Sequence, residues 1–305
     1  MRAGTGPFLA LQAARAGAQV EAVLGTRPGS VREAAEWLAE RGLRVRPYTD
    51  YRELFEDVQP EVLIIASPLG THRPWLQAGL DVGAHVYCEK PLITAPAETA
   101  HAMARAYAAA ELVLAENCQW PHVLPAFRAL HPDVDPAQAT RFRMLLAPPE
   151  RGLARWQESL SHPLSLLQEI APGPAELSDV RFQEAGSDAP DARLHFTWKT
   201  LDRTLDCEVV LEDLDTWPRP AEFALDDALC RRRIRAEDYA MRVQSGEDPP
   251  RSVALPDPME ASLRAFLARV DVVRRGGTAP LDEALVRRQA LLERLLEVYR
   301  RHARP

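Results

Sequence analysis

Val86-Tyr87-Cys88-Glu89-Lys90-Pro91-Leu92 sets an acid, a base and a proline directly behind a short apolar run. His85 to Cys88 reads as a buried strand. Pro91 has no N–H to give to a ladder, so Glu89 and Lys90 fall on the exit turn. If the strand is parallel to its neighbours, that turn lies at its carboxyl end, where open α/β sheets bind ligands. A lysine held there is a candidate for chemistry, while the tripeptide taken alone is equally a solvated Glu–Lys pair on a loop.

The neighbouring sequence supplies the sheet. Gln19 to Leu24 reads as a strand, and Ser30-Val31-Arg32-Glu33 has the form of a capping box, with Val31, Ala34, Ala35 and Leu38 on one helical stripe. Leu43 to Tyr48 is a second strand, and Asp50-Tyr51-Arg52-Glu53 opens a second helix carrying Leu54, Phe55 and Val58. Val62-Leu63-Ile64-Ile65-Ala66 is a continuous apolar run of the kind shown by strands covered on both faces, and Ser67-Pro68 stops it. After strand 85–88 come an alanine-rich helix from about Ala95 to Ala110 and a strand from Leu112 to Ala115. This alternation predicts a parallel, doubly wound sheet.

Beyond Pro121 the pattern becomes antiparallel. Leu194, Phe196 and Trp198 alternate with Arg193, His195, Thr197 and Lys199, and Leu205, Cys207, Val209 and Leu211 alternate with Asp206 and Glu208. The link Leu201-Asp202-Arg203 makes the two runs a hairpin. Two amphipathic helices, Met259 to Arg274 and Leu281 to His302, close the sequence around Gly276-Gly277. Two domains are therefore expected, 1–120 and 121–305.

A formal net charge of -7 over 305 residues, with no block of like charge, argues against a nucleic-acid partner and for a small-molecule one. No apolar run is long enough to cross a membrane and no secretory leader is read at the N-terminus. The 4 cysteines, Cys88, Cys118, Cys207 and Cys230, are scattered without metal-type pairing. These features predict a reduced, cytoplasmic protein with no metal site.

The order of a strand, Ser67-Pro68-Leu69-Gly70-Thr71-His72, a helix, Glu89-Lys90-Pro91, a helix, a strand, Glu116-Asn117 and a later His162 resembles the glucose–fructose oxidoreductase/inositol dehydrogenase/MocA family over nearly the whole chain. The resemblance implies an N-terminal Rossmann-like domain for a nicotinamide dinucleotide and a C-terminal α+β domain with a largely antiparallel open sheet. It implies that Lys90 lies near the nicotinamide and the substrate oxygen. Glu89, Ser67, Pro68, His72 and Asn117 would lie on the cofactor side. His162 matches the histidine that exchanges the substrate proton. Four residues earlier, where the family has aspartate, stands Glu158. On one continuous helix that spacing would put both side chains on one face, as an acid orienting an imidazole or as a plain exposed pair.

The chain also departs from the pattern. Gly4-Thr5-Gly6 stands where a G-x-G-x-x-G fingerprint belongs, but Leu9 replaces the third glycine and the strand that should precede the turn is missing from the sequence. Leu69 replaces the usual asparagine, Gln119 an arginine and Ser165 an aspartate, each removing a polar group from the expected cleft. At the end of strand 19–24, where NAD binders carry an acid, stand Thr26 and Arg27, which favours NADP with NAD as the alternative. Two readings follow. One is an NAD(P)-dependent oxidoreductase acting on a small polyhydroxylated, sugar- or inositol-like substrate. The other is a truncated or non-catalytic relative that binds a ligand or partner. The charged outer side of the 193–211 hairpin predicts a monomer or a weak homodimer.

Overall fold

The computed structural model describes residues 5–94, 96–184, 191–235 and 240–302. Helix α1 (Thr5–Ala16) is followed by β1 (Ala22–Leu24), α2 (Pro28–Ala39), β2 (Arg46–Tyr48), α3 (Tyr51–Val58), β3 (Val62–Ile65), α4 (His72–Asp81), β4 (His85–Cys88), α5 (Ala97–Ala109) and β5 (Leu114–Glu116). All pairings among these strands are parallel. Among the described residues they form two ladders, β1–β2 and β3–β4–β5, with Leu63 opposite Val86 and Tyr87 opposite Ala115.

The side-chain period of a strand explains the layering. Val86 and Cys88 point into a cluster with Leu76 of α4 and Ala100 and Tyr107 of α5. Tyr87, between them, points into a second cluster with Leu9 and Ala13 of α1. Helices thus cover both faces of β4, and this is the doubly wound arrangement the alternation predicts.

Two local expectations are corrected. Helix α2 starts at Pro28, two residues before the expected cap, because proline at a first helical position loses no intrahelical bond. The Ser30 hydroxyl turns back to Arg27 O at 2.9 Å instead of capping Glu33. The strand expected from Leu43 begins only at Arg46, because the Leu43 N–H closes the end of α2 on Leu38 O at 3.0 Å. At α3 the expected cap is present, with Asp50 Oδ1 accepting from Arg52 N–H at 2.8 Å.

The rest of the chain supplies α6 (Leu124–Leu130), β6 (Arg141–Leu146), α7 (Gly152–Ser159), α8 (Ser161–Ile170), β7 (Glu176–Gln183), β8 (Ala192–Lys199), β9 (Thr204–Leu211), β10 (Ala221–Leu225), β11 (Ala228–Ile234), β12 (Met241–Gln244), β13 (Ser252–Leu255), α9 (Pro258–Arg274) and α10 (Glu283–His302). Strands β6–β13 form one sheet in the order β13-β12-β11-β10-β6-β9-β8-β7, antiparallel except for the β6–β9 pair. One face buries Leu194, Phe196, Trp198, Cys207, Val209 and Phe223 beneath Leu160, Leu164, Leu167 and Tyr299. The other carries a charged row. Glu208 accepts from Arg143 Nε and from an Arg193 guanidinium nitrogen, both at 2.9 Å, and Glu222 accepts from Arg231 Nε at 2.6 Å.

By contacts the chain divides into two compact units. The first gathers the described residues up to Asn117 with Met259–Val286, and the second gathers Cys118–Pro258 with the described residues from Arg287 onward. The sequence division at 120 treats each domain as contiguous. The difference arises because Leu263, Phe266 and Val270 of α9 pack in the same cluster as Leu9, Ala13 and Tyr87.

Candidate active site

In the first unit the turn after β4 is tied to three neighbouring segments. Glu89 N–H donates to Ile65 O of β3 at 2.8 Å, and Asn117 N–H donates to Cys88 O at 2.7 Å, so the ladder extends up to the turn. Leu92 N–H donates to Glu116 Oε1 at 2.9 Å. The buried His72 ring lies between two loops, with Nε2 at 2.9 Å from Ser67 O and Nδ1 at 3.0 Å from Pro91 O. His72 therefore links the Ser67-Pro68 turn to the Lys90-Pro91 turn. Within the former, Thr71 Oγ1 donates to Pro68 O at 2.6 Å, leaving the Ser67 hydroxyl, 2.8 Å away, to donate to Thr71. Gly70 supplies the positive φ of 88° that the turn needs.

Glu89 is the electrostatic centre of this cluster. Burial raises its carboxyl above the ordinary glutamate range, opposed first by the Lys90 ammonium and then by the Asn117 amide, with His72 acting in the same sense as these two. Asn117 Nδ2 donates to Glu89 Oε1 at 2.6 Å, and Tyr87 Oη lies 2.7 Å from Asn117 Oδ1 and 2.8 Å from Ser262 Oγ. Tyr87 and Ser262 are site-supporting residues that the sequence does not reveal. Tyr87 reads there as one more buried strand residue, and Ser262 is 175 positions away from it.

Of the glycine turn, Gly4 lies outside the described residues, and Gly6 sits in the first turn of α1. A Cβ placed on Gly6 would lie 3.7 Å from the Ala66 side chain, so the start of α1 stands beside the carboxyl end of β3. Thr26 and Arg27 are exposed just past β1, with Arg27 as the residue preceding α2. The adjoining Gly25 is held close, since a Cβ there would come within 2.6 Å of Val31. A helix start without acidic residues in its first turn, an exposed cation beyond β1 and polar turns at the carboxyl ends of β3 and β4 are groups that fit a dinucleotide: N–H groups for its phosphates and a guanidinium for a ribose phosphate.

His162 and Glu158 belong to the second unit, on two successive helices. Leu160 divides α7 from α8, so the single continuous helix that the four-residue spacing presumed is not formed. The His162 ring stands edge-on to the buried Trp120 at 6.4 Å between centroids, and the Arg232 guanidinium lies 5.5 Å from the Trp120 ring centroid. Ser165, standing where an aspartate was expected, is buried and donates its hydroxyl to His162 O at 2.9 Å. Among the described residues no group of His, Cys, Asp and Glu is gathered as a metal site, and no helix is long and apolar enough to cross a membrane.

An α/β unit with parallel ladders and a carboxyl-end turn cluster, joined to an open and mostly antiparallel sheet, defines the class as a Rossmann-type protein with a second α+β unit. Residues 2–117 match the model of the GFO/IDH/MocA oxidoreductase family with an NAD-binding Rossmann fold, the family that the order of motifs resembles. A stretch of 53 residues is 42% identical to D-xylose 1-dehydrogenase (NADP(+)) 2 of Haloferax volcanii, and it spans 17% of this chain and 16% of that relative. An inositol dehydrogenase homologue from Azotobacter vinelandii, solved with NADH and myo-inositol, superposes with a TM-score of 0.67 at 18% identity, covering 98% of this chain and 93% of that one. A 3-ketoreductase from Actinomadura kijaniata, solved with NADP and TDP-benzene, gives a TM-score of 0.66 at 17% identity, covering 93% and 91%. At these identities the two structures establish the shared fold.

Proposed function

We propose that this chain is a nicotinamide-dependent oxidoreductase that interconverts a carbinol and a carbonyl on a small polyhydroxylated, sugar- or inositol-like molecule. The observation that carries the reading is the Lys90 turn, held at the end of β4 by the bond from Asn117 to Glu89 and by His72 between two loops. A bound nicotinamide supplies the two-electron redox chemistry. The chain's own residues hold and move the proton. Lys90 donates to the substrate oxygen and stabilises charge developing on it. His162 takes the hydroxyl proton in the oxidative direction and returns it in the reductive one. Glu158, on the helix before it, is the acid that would hold the histidine, and acid–base help of the kind given by His162 contributes roughly 10²–10⁴-fold.

Gly4, Gly6, Ser67, Pro68, His72, Glu89 and Asn117 would line the cofactor. Thr26 and Arg27 would favour NADP(H) over NAD(H), because a guanidinium pairs with a ribose phosphate where a carboxylate would repel it. The names of the relatives above support both the substrate class and the presence of either cofactor in this fold. The four separate buried thiols are in keeping with a cytoplasmic setting. The charged row on the outer sheet face supports a monomer or a weak, salt-sensitive homodimer. Steady-state assay of Lys90→Ala against wild type tests the catalytic assignment. Turnover is expected to fall far more than dinucleotide affinity, and full turnover in the variant would refute it.

A second reading, a ligand- or partner-binding relative without turnover, is favoured by one observation. Among the described residues no strand joins the β1–β2 ladder to the β3–β4–β5 ladder, so no described strand aims the start of α1 at a pyrophosphate. Failure to bind either dinucleotide would decide for it.

A further inference from the structure

We propose that Tyr87 is a positioning residue for the Glu89–Lys90 turn: its hydroxyl anchors the Asn117 amide oxygen so that the amide nitrogen stays on Glu89, and thereby helps hold Glu89 as the anion beside Lys90. The significance of that anion rests on the reading of Lys90 as the catalytic lysine. The geometric argument stands apart from it.

Asn117 Oδ1 can only accept, so the Tyr87 hydroxyl 2.7 Å away must donate its one hydrogen there. Ser262, 2.8 Å from the same phenolic oxygen, must then donate to Tyr87. With Oδ1 engaged, Nδ2 is the end presented to Glu89 Oε1, at 2.6 Å. Remove the hydroxyl and Asn117 Oδ1 loses its anchor in a buried site, so that the amide is held toward Glu89 through Nδ2 alone. Its flipped form would set a carbonyl oxygen against a carboxylate, an arrangement that only a protonated Glu89 tolerates. Tyr87 and Asn117 are both buried, so solvent does not replace the missing partner readily. The ring is fixed from its other side by Phe266 at 5.4 Å between centroids. The charged and titratable groups facing Glu89 are Lys90 beside it, His72 of α4 and Cys88 of β4, with Tyr87 across Asn117 and Glu116 of β5 acting on Cys88. Lys90 and His72 favour its ionised form, while burial opposes it.

The test is a carboxyl-carbon NMR titration of the whole chain labelled at glutamate, with the Glu89 resonance identified by its loss in Glu89→Gln. In Tyr87→Phe the pH midpoint of Glu89 is expected to rise by about one unit, the size of one charge-assisted hydrogen bond. Ser262→Ala, which removes the other partner of the same hydroxyl, is expected to leave the midpoint in place. Asn117→Ala is expected to raise it, and Tyr87→Phe added to Asn117→Ala is expected to move it no further. A wild-type midpoint in Tyr87→Phe would overturn the proposal, as would an undiminished shift on the Asn117→Ala background or an equal shift in Ser262→Ala. The titration needs no turnover. Full activity in Lys90→Ala would remove the catalytic reading while leaving the Tyr87 result to be judged by itself.

Discussion

Glu89 shows how a residue can serve the site at the expense of the fold. Burial raises its carboxyl above the ordinary value of about 4.3, despite the help of Lys90 and Asn117. For an acid raised on folding, the stabilising contribution is fully present below the unfolded value and is lost as pH rises through the folded one. Glu89→Gln is therefore expected to leave the melting temperature unchanged near about pH 4 and to raise it at about pH 8. A lowered midpoint at pH 8 in calorimetry would show that the ionised form is net stabilising. A different imbalance sits in the second unit, where the indole N–H of the fully buried Trp198 has no hydrogen-bond partner among the described residues. An unsatisfied buried donor costs about 1–3 kcal/mol. Trp198→Phe removes that donor along with part of the ring, so denaturant unfolding is expected to register a change of under about 1 kcal/mol. A loss above about 3 kcal/mol, the scale of a truncation to alanine, would contradict it.

At the scale of elements, β3, β4 and the hairpin β8–β9 were legible because their patterns are local. A continuous apolar run marked the first two, and strict alternation marked the hairpin. The start of β2 was not legible, since it depends on where the Leu43 N–H goes, and propensity does not report that. The α7–α8 break has a signal that the four-residue spacing passed over: Pro163, in the first turn of α8, has no N–H to give to Ser159 O at the end of α7. The Glu89-Lys90-Pro91 turn and Asn117 could be named from order alone, whereas Tyr87 and Ser262 could not, because their role appears only when α9 returns to β4. The join of β4 to β5 also contains a titratable pin. His85 Nδ1 accepts the Val113 N–H at 2.9 Å, which requires an unprotonated nitrogen, and burial lowers the imidazole below its ordinary value of about 6.5. A base lowered on folding contributes stability that is present above the unfolded value and lost as pH falls through the folded one. Hydrogen exchange at Val113, corrected for intrinsic rate, is expected to accelerate as pH falls from about 6.5 toward 5. Unchanged protection across that range would show that the bond does not depend on neutral His85.

The whole molecule is discontinuous in sequence, and that has an energetic consequence. Phe266, far along the chain, belongs to the cluster that covers Tyr87. Phe266→Ala is expected to cost about 3–5 kcal/mol and to raise amide exchange in β4 while leaving β8 and β9 protected. Equal loosening of both units would contradict the division. The proposed weak homodimer would pair through the outer row built on Glu208 and Glu222 of the other unit, so any dimer seen by light scattering is expected to dissociate as salt is added. A salt-resistant tetramer would show that apolar contacts dominate there. The central claim, that the chain is an oxidoreductase loaded with NADP(H), is tested most directly by calorimetric titration of the whole chain with NADPH and with NADH. NADPH is expected to bind at least about tenfold more tightly, the size of one guanidinium–phosphate contact. Equal or tighter binding of NADH would contradict the role given to Arg27, and no binding of either would contradict the claim itself.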